Sequence, residues 1–208
     1  MFSSITKKMI MAVSGFLLGV FILVHLAGNA TIFAGGAVFL SYAEHLHALG
    51  PFLKIAEIAL LFIFSLHLFF GVSLYVENLA ARPDQYAVKK SDGGRSVGSM
   101  TMPYTGAIIF LFLGIHLTTL SFFGRELSPL DLLRGYLGQP MMVGIYVTGL
   151  LALTLHLSHG FWSMFQTFGI NHPRYNRFLR SITLLVAVAA GVIYILIPCL
   201  IYFRGIPN

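Results

Sequence analysis

The chain has 208 residues, of which 57% are hydrophobic and only 10% charged, with a mean hydropathy of +0.85. An average globular chain carries roughly 25% charged residues, so this composition cannot cover a water-facing surface, and it excludes a soluble enzyme, a disordered segment and a nucleic-acid-binding domain. The formal net charge of +6 is then a topology signal rather than a phosphate-binding surface, and the single cysteine, Cys199, excludes an intrachain disulfide and a cysteine metal cluster.

Charges mark the borders of the predicted elements. Lys7 and Lys8 precede a stretch free of Asp, Glu, Lys and Arg from Met9 to Ala43, which predicts a helix over 9–33. That stretch is too long for a signal-peptide core, and it is read as an uncleaved helix. Further charge-free stretches run from Ile58 to Val76, Ser96 to Gly124, Gly135 to Pro173 and Ser181 to Phe203. Trimmed at turn signals, they predict helices over 52–79, 103–123, 141–168 and 181–203. Pro51, Pro103 and Pro140 sit at or just before the first turns, where a missing amide donor costs nothing. About 20 apolar residues cross a bilayer, and only helices satisfy so long a backbone in lipid. The expected architecture is all-α: an integral membrane protein of one domain, residues 1–208, with five transmembrane helices, four in a bundle and a fifth appended.

Basic residues orient it. With the N-terminus inside, Lys7, Lys8, Arg82, Lys89, Lys90, Arg95, Arg174, Arg177 and Arg180 are cytoplasmic. Only Lys54, Arg125, Arg134 and Arg204 lie outside. The asymmetry favours a cytoplasmic N-terminus and an external C-terminus.

The chain also repeats itself. In the first span Ser14-Gly15 is followed by His25, eleven residues after the serine; in the third, Thr105-Gly106 is followed by His116, eleven after the threonine. In the second span His67 lies sixteen residues after Pro51 and is followed by Gly71. In the fourth, His156 lies sixteen after Pro140 and is followed by Gly160. Helices one and two therefore duplicate helices three and four. At 1.5 Å per residue, His67 and His156 lie about 24 Å from the outer ends of their helices, and His25 and His116 roughly 20–24 Å from the inner ends of theirs. In a hydrocarbon core about 30 Å thick, these four of the eight histidines form one pair near the cytoplasm and one near the opposite face.

An ionisable group inside the membrane is costly and marks a functional site. Two imidazoles facing one another across a bundle can hydrogen-bond, bind zinc or ligate a haem iron axially. Zinc takes four ligands, and no Cys or acid accompanies either pair. A haem needs two axial nitrogens in apolar surroundings, and bundle cores supply them. The expected metal ligands are therefore His67 with His156 and His25 with His116, in a four-helix haem-binding bundle. Ser14, Gly15, Thr105 and Gly106 lie on their histidines' faces about 16 Å nearer the cytoplasm, at the depth of the other haem, where glycine admits a porphyrin and a hydroxyl reaches a propionate. Gly71 and Gly160 remove bulk one turn beyond theirs. His159 competes with His156 but lacks the repeat's spacing. His45, His47 and His172 are read as solvated loop residues, and Glu44 and Glu57 as interfacial charges that also stand where protons would exchange.

The histidine-bearing helices, HLAGN at His25 and LHLSHGFWSMFQTFG at His156 resemble the dihaem cytochrome b membrane-anchor subunits of succinate dehydrogenases and fumarate reductases (succinate:quinone oxidoreductases, complex II), of the type with one large anchor subunit. The resemblance covers essentially the whole chain. It implies two haem b groups, the proximal one on His67 and His156 and the distal one on His25 and His116. It also implies a quinone substrate, menaquinone for this type, a flavoprotein and an iron–sulfur protein as cytoplasmic partners, and a bacterial plasma membrane location. The loops 80–102 and 169–180, with Arg82-Pro83 and Pro173-Arg174-Tyr175, form the candidate docking surface. No Ser/His/Asp set, phosphate loop or dinucleotide fingerprint is present, so succinate oxidation itself is expected to belong to a partner. Two rival readings remain at this point: the dihaem anchor of a hydrogenase or formate dehydrogenase, and a transporter with histidine proton relays.

Overall fold

The computed structural model describes residues 3–81, 97–122 and 127–206. Among them are seven α-helices and no strand: α1 (Ser4–Ala30), α2 (Gly36–His47), α3 (Pro51–Ala80), α4 (Val97–Leu117), α5 (Pro129–Leu137), α6 (Pro140–Thr167) and α7 (Asn176–Arg204). Five stretches are long and apolar enough to cross a membrane: Ser4–Ala34, Pro51–Ala80, Gly98–Leu120, Pro140–Thr167 and Asn176–Arg204. These are the five expected spans, each shifted by a few residues at its ends.

The ends have local causes. Ser3 caps α1 by accepting a hydrogen bond from the Thr6 amide at 3.1 Å. Pro51 and Pro140 occupy first-turn positions, as expected. Gly50, with φ at +52°, makes the turn into α3 that a side chain would resist. Pro103 departs from expectation. It lies inside α4, which begins at Val97, because the charge-free residues ahead of the proline continue the helix and a transmembrane helix accommodates the missing donor. The last turn of this span, Thr118–Phe122, is a π-turn.

Two short helices were not expected. α2 buries Gly36, Phe39 and Ala43 along one side. α5 is capped by Ser128, which accepts from the Asp131 amide, and it buries Leu130, Leu132, Leu133 and Leu137. Neither is long enough to span. His45 and His47 therefore belong to the last turn of α2 rather than to a loop, and each ring donates from Nδ1 to the carbonyl four residues back, Ser41 and Ala43, at 2.7 Å.

The long helices alternate in direction. The end at which α1 starts is called here the near end and the opposite one the far end. α1 packs against α3, α6 and α7, while α6 packs against α1, α4 and α7. α3 and α4 complete a four-sided bundle, meeting through the stacked Phe64 and Phe110 rings. α1 thus stands diagonal to α4, and α3 to α6. Much of α3 is unshielded, with Phe62 and Phe69 about two-thirds exposed, as a lipid-facing helix requires. At the far end α2 and α5 roof the bundle over Ile32, Leu137, Met142, Tyr146 and Ile197.

α7 approaches α6 closely through small residues, the usual device for helix association in lipid. A Cβ on Gly191 would lie 2.0, 2.9 and 3.0 Å from three side-chain atoms of Thr154, so rotating the threonine cannot make room. Gly191→Ala is expected to destabilise the fold by about 1–3 kcal/mol, the range for overpacking. Thermal unfolding in detergent checks this; an unchanged midpoint would mean that α7 does not sit against α6 as described.

Candidate functional site

Helix register decides which side chains meet inside the bundle. His67 on α3 and His156 on α6 face one another across one diagonal, ring centres 6.3 Å apart and planes at 70°. His25 on α1 and His116 on α4 face one another across the other, 6.1 Å apart and at 89°. The first pair lies toward the near end and the second toward the far end. The structure thus brings together the histidines that the repeat pairs by depth.

The two layers are built differently. At the near layer, the Ser14 hydroxyl donates to the Ile10 carbonyl at 2.8 Å and lies 3.2 Å from His67 Nδ1. The Thr105 hydroxyl donates to the Thr101 carbonyl at 3.0 Å and lies 3.3 Å from His156 Nδ1. The duplicated Ser/Thr-Gly element therefore touches the histidine of the next long helix in both halves, α3 from α1 and α6 from α4. The adjoining glycines follow suit: a Cβ on Gly15 would sit 3.1 Å from His67 Cε1, and one on Gly106 3.7 Å from His156 Cε1. Gly71 faces Met11, whose terminal methyl would lie 3.6 Å from an added Cβ, and Gly160 borders open space.

At the far layer, Phe21 stacks on His25 with ring centres 5.2 Å apart, and Phe112 lies beside His116. Tyr146 is buried here. Its hydroxyl is 3.2 Å from Thr119 Oγ1 and 3.5 Å from His116 Nδ1. Tyr194 on α7 lies near the His25 ring and donates to the Ile22 carbonyl at 2.7 Å. Sequence reading missed Tyr146, though one signal was available: it precedes His156 by ten residues, about 15 Å along the helix, which is the offset between the layers.

The remaining candidates lie apart. His159 packs its Cβ against Gly98 of α4. His172 is exposed in the turn before α7, stacked with Tyr175. Glu57 is exposed at the far end within 3.8 Å of Lys54, a surface pairing that contributes little, and Glu44 is exposed on α2. Arg174 and Tyr175 are exposed at the near end. Arg82, Pro83, Lys89, Lys90, Arg95 and Arg125 lie outside the described residues. An unexpected contact joins α1 to α3 at the near end, where buried Lys7 pairs with Glu77 and Ser73 donates to the same carboxylate at 3.3 Å.

The donor sets decide what such pairs can hold. Among the described residues, no group of three or more His, Cys, Asp or Glu could bind a metal ion, so neither pair is a four-ligand zinc site. Two imidazoles suit a planar group that supplies the other four ligands itself. Metal–nitrogen bonds of about 2 Å on both sides, with about 1 Å from each nitrogen to its ring centre, put the two centres roughly 6 Å apart. The observed 6.1 and 6.3 Å agree. Phe21 and Phe112 beside the far pair, and Gly15 and Gly106 beside the near pair, keep the surroundings of the rings apolar.

Comparison with known proteins points the same way. The chain is similar to the succinate dehydrogenase cytochrome b558 subunit of Bacillus subtilis (strain 168), 29% identical over 181 residues, covering 84% of this chain and 85% of that one. No family model matches the chain, and no solved structure does. The similarity bears out the resemblance drawn from the histidine-bearing helices.

The glycines give a direct check on the near layer. Gly15→Ala forces a methyl to within 3.1 Å of the His67 ring, whereas the same change at the exposed Gly144 of α6 meets nothing within 4 Å. Gly15→Ala is expected to perturb the visible spectrum of a porphyrin held by His67 and His156, and Gly144→Ala to leave it unchanged. Equal responses would contradict the placement of Gly15 against His67.

Proposed function

We propose that this chain is the membrane-anchoring dihaem cytochrome b subunit of a succinate:quinone oxidoreductase, relaying electrons between an iron–sulfur subunit and a membrane quinone, with menaquinone as the expected one. The observation that carries the reading is the pair of histidine couples on the two bundle diagonals, with ring centres 6.1 and 6.3 Å apart, each of which would hold one haem iron between its two imidazoles. Similarity to a succinate dehydrogenase cytochrome b subunit favours this complex over a hydrogenase or formate dehydrogenase, and cofactor-sized histidine couples favour it over a transporter relay.

Bound haem b would supply one-electron carriage at two depths. The chain's own residues hold and insulate it. His67 and His156 would hold the cofactor nearer the cytoplasm and His25 and His116 the one nearer the opposite face. Gly15 and Gly106 leave room beside the first, with Gly71 and Gly160 one turn beyond its ligands. Phe21, Phe112 and the roof of α2 and α5 keep water from the second. With the N-terminus cytoplasmic, as the basic residues favour, the near end faces the flavoprotein and iron–sulfur partners, and the exposed Pro173-Arg174-Tyr175 turn belongs to their docking surface. Succinate chemistry stays with those partners.

The pairing generates a test with a built-in control. His67→Ala and His156→Ala are each expected to remove the same one of two b-type centres in a redox titration, and His25→Ala and His116→Ala each to remove the other. Loss of different centres within one pair would refute the assignment.

A further inference from the structure

Resting on the haem reading above, we infer that Ser14 and Thr105 are positioning residues that fix the tautomer and the donor strength of the near histidine pair. Each hydroxyl carries a single hydrogen. Ser14 spends its hydrogen on the Ile10 carbonyl at 2.8 Å, with the Met11 carbonyl 3.1 Å away. Thr105 spends its own on the Thr101 carbonyl at 3.0 Å, with Met102 at 3.1 Å. Each oxygen can then offer only a lone pair to the ring nitrogen beside it. The contacts at 3.2 and 3.3 Å are therefore donated by the imidazoles, from Nδ1. The ring proton is held on Nδ1, and Nε2 keeps the lone pair that a metal needs.

An acceptor on the far nitrogen of a ligating histidine orients the ring and raises its basicity. A more basic ligand pair stabilises the oxidised, more highly charged iron and lowers its midpoint potential. Ser14 and Thr105 are each 4% exposed, so water cannot replace a deleted hydroxyl; His67 keeps a second acceptor in the Met11 carbonyl, so the effect of removing Ser14 is the smaller of the two. Among the described residues, no serine or threonine of α3 or α6 stands in the same way against the His25 or His116 ring. The hydroxyl facing His116 is that of Tyr146, at 3.5 Å, beyond the ordinary hydrogen-bond range of about 2.7–3.2 Å. The repeat that makes the two halves alike thus places both hydroxyls in one layer.

The test is a redox titration of the purified chain carrying Ser14→Ala, Thr105→Ala or both, alongside Ser14→Thr and Thr105→Ser, with haem content measured for each. Each alanine variant is expected to raise one midpoint, the same one that His67→Ala abolishes, and to leave the other unchanged. The double variant should shift further than either single one, and the hydroxyl-preserving variants should match the wild type. Unchanged midpoints with haem content intact, or a shift in the far centre, would overturn the inference. If Ser14→Ala fails to retain haem, Ser14→Cys, with a weaker acceptor of similar shape, should raise the same midpoint; its failure to do so would also overturn the inference. Absence of b-type haem from the wild-type chain would instead defeat the functional reading on which it rests.

Discussion

A polar group inside a hydrocarbon layer has no water to fall back on, and this bundle is arranged around four imidazoles under that constraint. A histidine on one helix can be answered only by another element reaching the same depth. Two couples at two depths are most compactly made by crossing the diagonals of a four-sided bundle, and α1 with α4 and α3 with α6 do this. Each diagonal joins a helix of one half of the repeat to the corresponding helix of the other half. α7 lies outside this logic. It packs along α6 and α1 through Ala187, Ala190 and Gly191 and sends Tyr194 toward the His25 layer.

The same constraint governs the smaller polar groups. Ser14, Thr105 and Thr119 each return their hydroxyl hydrogen to a carbonyl of their own helix, which leaves an oxygen free to accept from a neighbour. Buried Lys7 is answered by Glu77, with Ser73 as a second donor to that carboxylate. Among the described residues, no buried side-chain nitrogen or oxygen lacks a partner. The ion pair tethers α1 to α3 at the near end, while the Arg180 guanidinium lies over the Trp162 ring 5.4 Å from its centre and ties α7 to α6. One end of the bundle is thus fastened by charge and the other by the apolar roof of α2 and α5.

What was legible in the sequence was whatever period and composition encode. The five spans follow from charge-free stretches, and the histidine couples from equal spacings to Pro51 and Pro140 and to Ser14 and Thr105. Less legible were features that depend on a second helix. Pro103 reads as a helix start from its own preferences, yet the apolar residues before it extend α4 through it. α2 and α5 are short and amphipathic, and their burial exists only because the roof they form is there to receive it. Lys7 counted as an orientation charge, since nothing local reveals that Glu77 arrives opposite it. The hydroxyls of Ser14 and Thr105 looked free to reach a propionate, but only the register between α1 and α3, and between α4 and α6, sets them against ring nitrogens.

Whether the two histidine couples each hold one haem is decided by the ratio of haem to polypeptide in the purified wild-type chain, read with the electron paramagnetic resonance spectrum of its oxidised form. Two b-type haems per chain and two low-spin signals, each from an iron with two imidazole ligands, are expected. A ratio of one or none, or a high-spin signal from an iron with a single histidine, would contradict this.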